Sequence, residues 1–174
     1  TGHSVEKIEL IVMGGTFSSL PHDYQVDFIS NCFLAANKFS ISNPPAERTD
    51  FQFLKNKFSL KDLENFQRQN EKAKNRIVGL TLETRPDEIT PKEIKWMRQL
   101  GATRVEIGVQ SIYDPVLKKV KRGHGVKATI KATKLLKEAG FKVCYHLMPN
   151  LPGSDLQKDL QMFQTVIIII QAGI

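Results

Sequence analysis

Apolar and polar positions alternate along this chain in two periods that take turns. Ile8 to Met13 (IELIVM) is a nearly unbroken apolar run ended by Gly14-Gly15, the pattern of a buried parallel strand. Pro21 opens a helical pattern whose stripe is read as Tyr24, Phe28, Cys32 and Ala35. Ser59 and Asp62 have the spacing of an N-terminal capping pair ahead of a polar helix carrying Leu63 and Phe66. A second strand over Ile77–Leu82 leads into Glu83-Thr84-Arg85-Pro86-Asp87. Thr90, Pro91 and Glu93 then supply an N-cap, a first-turn proline and a capping-box acid for a helix burying Ile94, Met97 and Leu100 and ended by Gly101.

The same punctuation recurs downstream. A third strand, Arg104–Val109, runs into Gln110-Ser111, and Asp114-Pro115 starts a short helix stopped by Gly123. Val126, Ile130, Thr133 and Leu136 line the next helix, closed by Gly140. The fourth strand, Lys142–Met148, ends in Pro149-Asn150-Leu151-Pro152-Gly153, after which Ser154 with Gln157 is expected to cap a last helix. Strands alternating with helices imply right-handed crossovers and a parallel sheet, hence an α/β fold. The pattern fits an open doubly wound sheet or part of a TIM-like barrel equally; four strands do not close a barrel. The edges at Ile8–Met13 and Lys142–Met148 are then left unpaired.

Two stretches break the rhythm. Residues 38–58 mix Ser-Asn-Pro-Pro with scattered Lys and Phe and read as an insertion or loop. Residues 167–174 follow a core of 1–166 as an atypical tail, whose isoleucine run is expected to be β-prone and too short to span a membrane.

Composition narrows the partners. Lys and Arg number 25 against 18 Asp and Glu, a formal charge of +7 that favours polyanions. Cys32 and Cys144 are the only two cysteines, too few for a disulfide framework, which points to a reducing, cytoplasmic compartment. With no C-x-x-C or Cys/His spacing, no metal site is expected within the chain. The first residues lack a basic stretch followed by an apolar run, so no signal peptide is expected there.

Parallel sheets bind ligands at the C-terminal ends of their strands, and the unusual residues fall there. They are Gly14-Gly15-Thr16, Glu83, Gln110-Ser111, and His146 with Met148. Gly14-Gly15 permits close backbone approach, although a tight turn alone also explains it. Glu83 reads as an acceptor for ligand hydroxyls or an ammonium, or as the partner of Arg85 or Arg104. Glu106, inside a strand, needs a partner such as Arg85. His146 reads as a hydrogen-bonded strand residue or a catalyst. Lys118, Lys119, Lys121, Arg122, His124, Lys127 and Lys131 crowd one segment, as a phosphate-binding patch or a solvated face. No nucleophile–base pair is evident, so the catalytic residues stay unknown.

The segments VEKIELIVMGGTFSSLP, GLTLETRPD, TRVEIGVQSIYD, VKRGHGVKATIKATKLLKEAGFKV and HLMPNLPGSD together resemble the radical-SAM domain of the Elongator catalytic subunit family. That resemblance implies a partial TIM-like radical-SAM barrel of parallel strands with outer helices. It implies S-adenosylmethionine (SAM) and, through three cysteines, a [4Fe–4S] cluster as cofactors. The implied activity is C5 carboxymethylation of the tRNA wobble uridine using acetyl-CoA, with other Elongator subunits as partners in eukaryotes and a nuclear pool there. Gly14, Gly15 and Thr16 would hold the methionine part of SAM, with Glu83, Gln110, Ser111, His146 and Met148 lining the same cavity. Lys7 would contact acetyl-CoA, and Lys118, Lys119, Lys121, Arg122, His124 and Lys127 would face tRNA.

Departures from the family pattern matter. The cluster-binding segment and the GNAT acetyltransferase domain have no counterpart within these residues, and neither Cys32 nor Cys144 replaces the cluster ligands. Taken alone the chain is therefore expected to be inactive. A non-catalytic tRNA-binding or complex-assembly piece and an unrelated TIM-barrel enzyme are the competing readings.

Overall fold

The computed structural model describes residues 6–14, 16–39 and 57–171. The strands are β1 (Lys7–Val12), β2 (Arg76–Thr84), β3 (Arg104–Gln110) and β4 (Lys142–Leu147). The helices are α1 (His22–Lys38), α2 (Leu60–Asn70), α3 (Pro91–Gln99), α4 (Asp114–Lys119), α5 (Val126–Glu138) and α6 (Leu156–Gln171). One parallel sheet has the order β1-β2-β3-β4, which puts β1 and β4 at its edges among the described residues. Most of the loop expected over residues 38–58, and Gly15, lie outside the described residues.

The chain divides into two compact units: 1–82 with 95–104, and 83–94 with 105–174. In the first, Val12, Phe17, Val26, Ile29, Phe33, Leu63, Leu80, Leu82, Met97 and Leu100 form the core. The helical stripe read along α1 is corrected here. Tyr24 and Phe28 are 49% and 37% exposed, whereas Val26, Ile29, Phe33 and Ala36 are buried. Both stripes are apolar, and packing against α2 chose the one formed by Val26, Ile29, Phe33 and Ala36. A buried amide network fixes that packing. Asn70 Nδ2 donates to Asn37 Oδ1 at 2.7 Å and to the Asn75 carbonyl at 3.0 Å, while its Oδ1 accepts the Ile77 N–H at 2.7 Å. One side chain at the end of α2 thus ties α1 to the start of β2 with its hydrogen-bonding capacity used. The capping box at Ser59 and Asp62 forms as expected, each side chain accepting the other residue's backbone N–H.

The second unit packs Val105, Ile107, Val109, Leu117, Leu136, Phe141, Met162 and Val166. On α5 the buried face is Thr129, Ala132, Thr133 and Leu136, and Ile130, expected inside, is 65% exposed. The cap expected from Ser154 is supplied by Asp155, whose Oδ1 accepts the Lys158 N–H at 2.9 Å. Ser154 instead donates to Asp159 Oδ1 at 2.5 Å, and Asp159 Oδ2 accepts the Asn150 N–H at 2.7 Å, closing the loop before α6. The β-prone reading of the isoleucine run is corrected too: the backbone stays helical to Gln171. Local β-propensity yields once the preceding turns propagate a helix. Among the described residues no helix is long and apolar enough to cross a membrane.

Candidate functional site

Parallel pairing points every strand the same way, so the ends that carry polar residues can be read off each unit. In the first unit Gly14 follows β1 with φ +94°, a conformation that glycine adopts without a steric penalty, and an added Cβ would meet nothing within 4 Å. Thr16 follows it, and its carbonyl accepts from the Ser19 N–H and hydroxyl at 2.9 and 2.7 Å. Lys7 is exposed at the opposite end of β1, so the strand separates it from Gly14 by roughly 17 Å or more.

The second unit gathers Glu83, Gln110, Ser111, His146 and Met148 around three strand ends. The Met148 N–H donates to the Gln110 carbonyl at 2.9 Å, which joins the ends of β4 and β3. Ser111 Oγ accepts the Tyr113 N–H at 3.3 Å. Gln110 has φ +67°, an unusual conformation for a non-glycine residue, and its Oε1 is buried without a hydrogen-bond partner. Backbone strain and unpartnered buried acceptors cluster at functional sites, which makes Gln110 a candidate.

His146 lies between two carboxylates. Its Nε2 is 2.6 Å from Glu106 Oε2, and its Nδ1 is 3.3 Å from Glu83 Oε1. The Glu106 side chain is 11% exposed, those of Glu83 and His146 25% and 28%. This corrects the partners expected from sequence: the arginine anticipated for Glu106 is replaced by His146. Arg85 instead turns to Asp87, donating from Nε at 3.0 Å with a second, shorter bond from Nη2. Burial opposes ionisation of Asp87, but the bonds from Arg85 hold its carboxyl below the usual carboxylate range. An ionised carboxylate only accepts, and a neutral imidazole has one N–H. Both contacts of His146 are hydrogen bonds only when the ring carries two protons or one carboxyl is protonated. The short Glu106 contact assigns Nε2 as the N–H of the neutral ring.

Sequence reading missed Cys144 as a member of this group. Its Sγ, a Glu106 oxygen and a His146 nitrogen all lie within 4.8 Å of one another. Cys144 and His146 are two apart on β4 and share a face, the signal that was available. Glu106 comes from the neighbouring strand, a register that spacing alone does not reveal.

The basic segment is divided by the fold. Lys118, Lys119, Lys121, Lys127 and Lys131 are exposed. Arg122 turns inward, donating from Nη2 to the Gly108 carbonyl and from Nε to His124 Nε2, both at 3.3 Å. A Cβ at Gly108 would approach Arg122 Nη2 to 2.6 Å, so glycine makes room for this buttress. Burial holds the His124 imidazole below the usual histidine range, against an upward pull from Asp87.

A parallel α/β sheet with charged and strained residues at its strand ends is a domain of the α/β class, in which ligands bind at those ends. The Radical SAM superfamily model matches residues 4–166, and the chain belongs to that superfamily. Over 165 residues it is 50% identical to the tRNA uridine(34) acetyltransferase of Methanocaldococcus infernus and 48% identical to that of Methanocaldococcus jannaschii. Over 162 residues it is 40% identical to Elongator complex protein 3 of Drosophila melanogaster. These matches span 93–95% of the chain but only 26–27% of the relatives' lengths. The structure of the archaeal Methanocaldococcus infernus Elp3 with an N-terminal deletion superposes with a TM-score of 0.79, covering 94% of this chain and 34% of that one. Coproporphyrinogen III oxidase of Escherichia coli, a radical-SAM enzyme at 14% identity, superposes with a TM-score of 0.51 over 92% of this chain and 40% of that one, a likeness of fold alone.

The superfamily implies SAM and a [4Fe–4S] cluster. Within the second unit the buried, unpartnered Gln110 Oε1 fits a polar organic ligand such as SAM. A three-cysteine cluster does not fit this chain, which has two cysteines in all.

Proposed function

We propose that this chain is the central radical-SAM segment of a tRNA uridine(34) acetyltransferase of the Elongator catalytic type. The observation that carries the reading is the 50% identity, spread over 95% of the chain, to a protein named for that activity. The whole protein then carboxymethylates C5 of the wobble uridine with acetyl-CoA, and in eukaryotes works among other Elongator subunits. SAM, when bound, supplies the one-electron chemistry. Within the second unit Gln110, Ser111 and Met148 contact it, with the Gln110 Oε1 accepting from an ammonium or hydroxyl. Glu83 and His146 line the same group of strand ends and hold or move a proton between carboxylate and ring. In the first unit Gly14, Gly15 and Thr16 keep their assignment to the methionine part, and Lys7 its assignment to acetyl-CoA. The chain's two cysteines do not supply the three ligands of the cluster.

The exposed lysines 118, 119, 121 and 127 face tRNA in this reading, while Arg122 and His124 hold their segment in shape rather than touch phosphate. The test is tRNA binding by the chain across a salt series, beside a variant carrying Lys118→Ala, Lys119→Ala and Lys121→Ala. Binding that weakens with salt, with a slope shallower by about two to three in the variant, supports it. An unchanged slope removes tRNA from this face.

A further inference from the structure

We propose that Glu106, Cys144 and His146 form a binding site for a divalent transition-metal cation, zinc above all, with Glu83 as its supporting residue. This goes beyond the acetyltransferase reading and does not depend on it. The sequence reading expected no metal site, because the third ligand comes from a different strand.

The geometry has the parts that such a site needs. The three potential ligand atoms, one oxygen, one sulfur and one nitrogen, lie within 4.8 Å of one another. That donor set is the one zinc accepts, whereas calcium and magnesium take oxygen alone. Glu106 lies in the buried β3, while Cys144 is exposed on β4, so the group has a buried base and an open side. A ligating histidine usually gives its second ring N–H to a carboxylate, which fixes the tautomer. Here Nε2 faces Glu106 and Nδ1 faces Glu83 Oε1 at 3.3 Å, so Glu83 already occupies that supporting place. The same arrangement explains why His146 has an acceptor on both sides. A cation bound at Nε2 and Glu106 displaces the ring proton to Nδ1, where Glu83 accepts it.

The exchange balances. One Zn²⁺ enters, the single proton of the neutral ring moves from Nε2 to Nδ1, and the Cys144 thiol proton leaves to solvent. Glu106 binds as the carboxylate it already is, and no electron moves. Three protein ligands leave a fourth tetrahedral position to water, the arrangement of open zinc sites. Affinity rises with pH because the thiol proton is released.

Cobalt(II) is the probe, since a cobalt–thiolate bond gives a near-ultraviolet charge-transfer band and the chain has only two cysteines to supply it. The full chain, stripped with chelator and kept anaerobic, is titrated with Co²⁺ and then with Zn²⁺. The expected result is one equivalent of cobalt with the band, displaced by zinc. Cys32→Ser retains the band and Cys144→Ser abolishes it, while circular dichroism shows both folded. His146→Gln weakens binding further than Glu83→Gln, whose expected loss is about 10- to 100-fold. Absence of a saturable band in the unsubstituted chain overturns the proposal, as does a band that survives Cys144→Ser.

Discussion

β3 and β4 read almost alike as sequence, yet the sheet treats them differently. RVEIGVQ and KVCYHL each place a polar or charged residue among apolar ones. In β3 every residue from Val105 to Gln110 is buried; in β4 none is, and Lys142 and Cys144 are exposed. The difference is position in the sheet, interior against edge, and it decides what each polar residue becomes. Glu106, buried, must have a partner. His146, on the half-buried edge strand, supplies one. The group is built where a buried strand meets one that faces water.

The largest expected effect breaks the interior strand. Ile107→Ala, at a fully buried position, is expected to cost about 2–5 kcal/mol in urea denaturation. Leu147→Ala on half-buried β4 is expected to cost about 1 kcal/mol. Equal losses would end the distinction between the two strands.

Next comes the carboxylate pair. Glu106→Ala removes the short partner of His146 and is expected to cost about 1–3 kcal/mol, whereas Glu83→Ala, more exposed and farther from the ring, is expected to cost under about 1 kcal/mol. Nitrogen chemical shifts of the His146 ring would follow Glu106→Ala more than Glu83→Ala.

Acid probes the buttress of β3. His124 is held below the usual histidine range by burial, so near pH 6 the unfolded chain gains a proton that the folded chain refuses. Stability therefore falls as pH drops below about 6.5 towards the lower folded value. Denaturation midpoints between pH 7 and 5 should decline less steeply in His124→Gln.

The smallest effect is Cys144→Ser, expected to stay within about 0.5 kcal/mol at an exposed position. In the native chain Cys144 should react with a disulfide reagent ahead of Cys32, whose thiol burial pushes up. Similar rates for the two thiols would contradict the exposed edge.

Much of this was legible in sequence because it rests on local chemistry. The strands were placed within two residues at either end, since apolar runs bounded by glycine and proline encode period and length. The Ser59–Asp62 capping box formed as spaced, and Thr90 Oγ1 accepts the Glu93 N–H at 3.1 Å. Motif resemblance led to the radical-SAM superfamily before any geometry was known. Helix faces were less legible. The α1 stripe and Ile130 were misplaced because a helix with several apolar residues offers more than one face, and only its neighbours select among them. The isoleucine run stayed helical because propensity is weak beside a helix already in progress.

Tertiary structure alone decided the partners of the polar residues. Glu83, Glu106 and His146 stand at positions 83, 106 and 146 on three strands, and nothing local says that their side chains meet. Parallel pairing and register bring them together, and burial of Glu106 then demands a donor that His146 supplies. The same holds for Arg122, drawn from a basic run to the Gly108 carbonyl while its lysine neighbours stayed in water. By itself the sequence determined the elements and the family. Which charges pair and which face solvent was decided by the fold, because desolvation acts only once strands have packed.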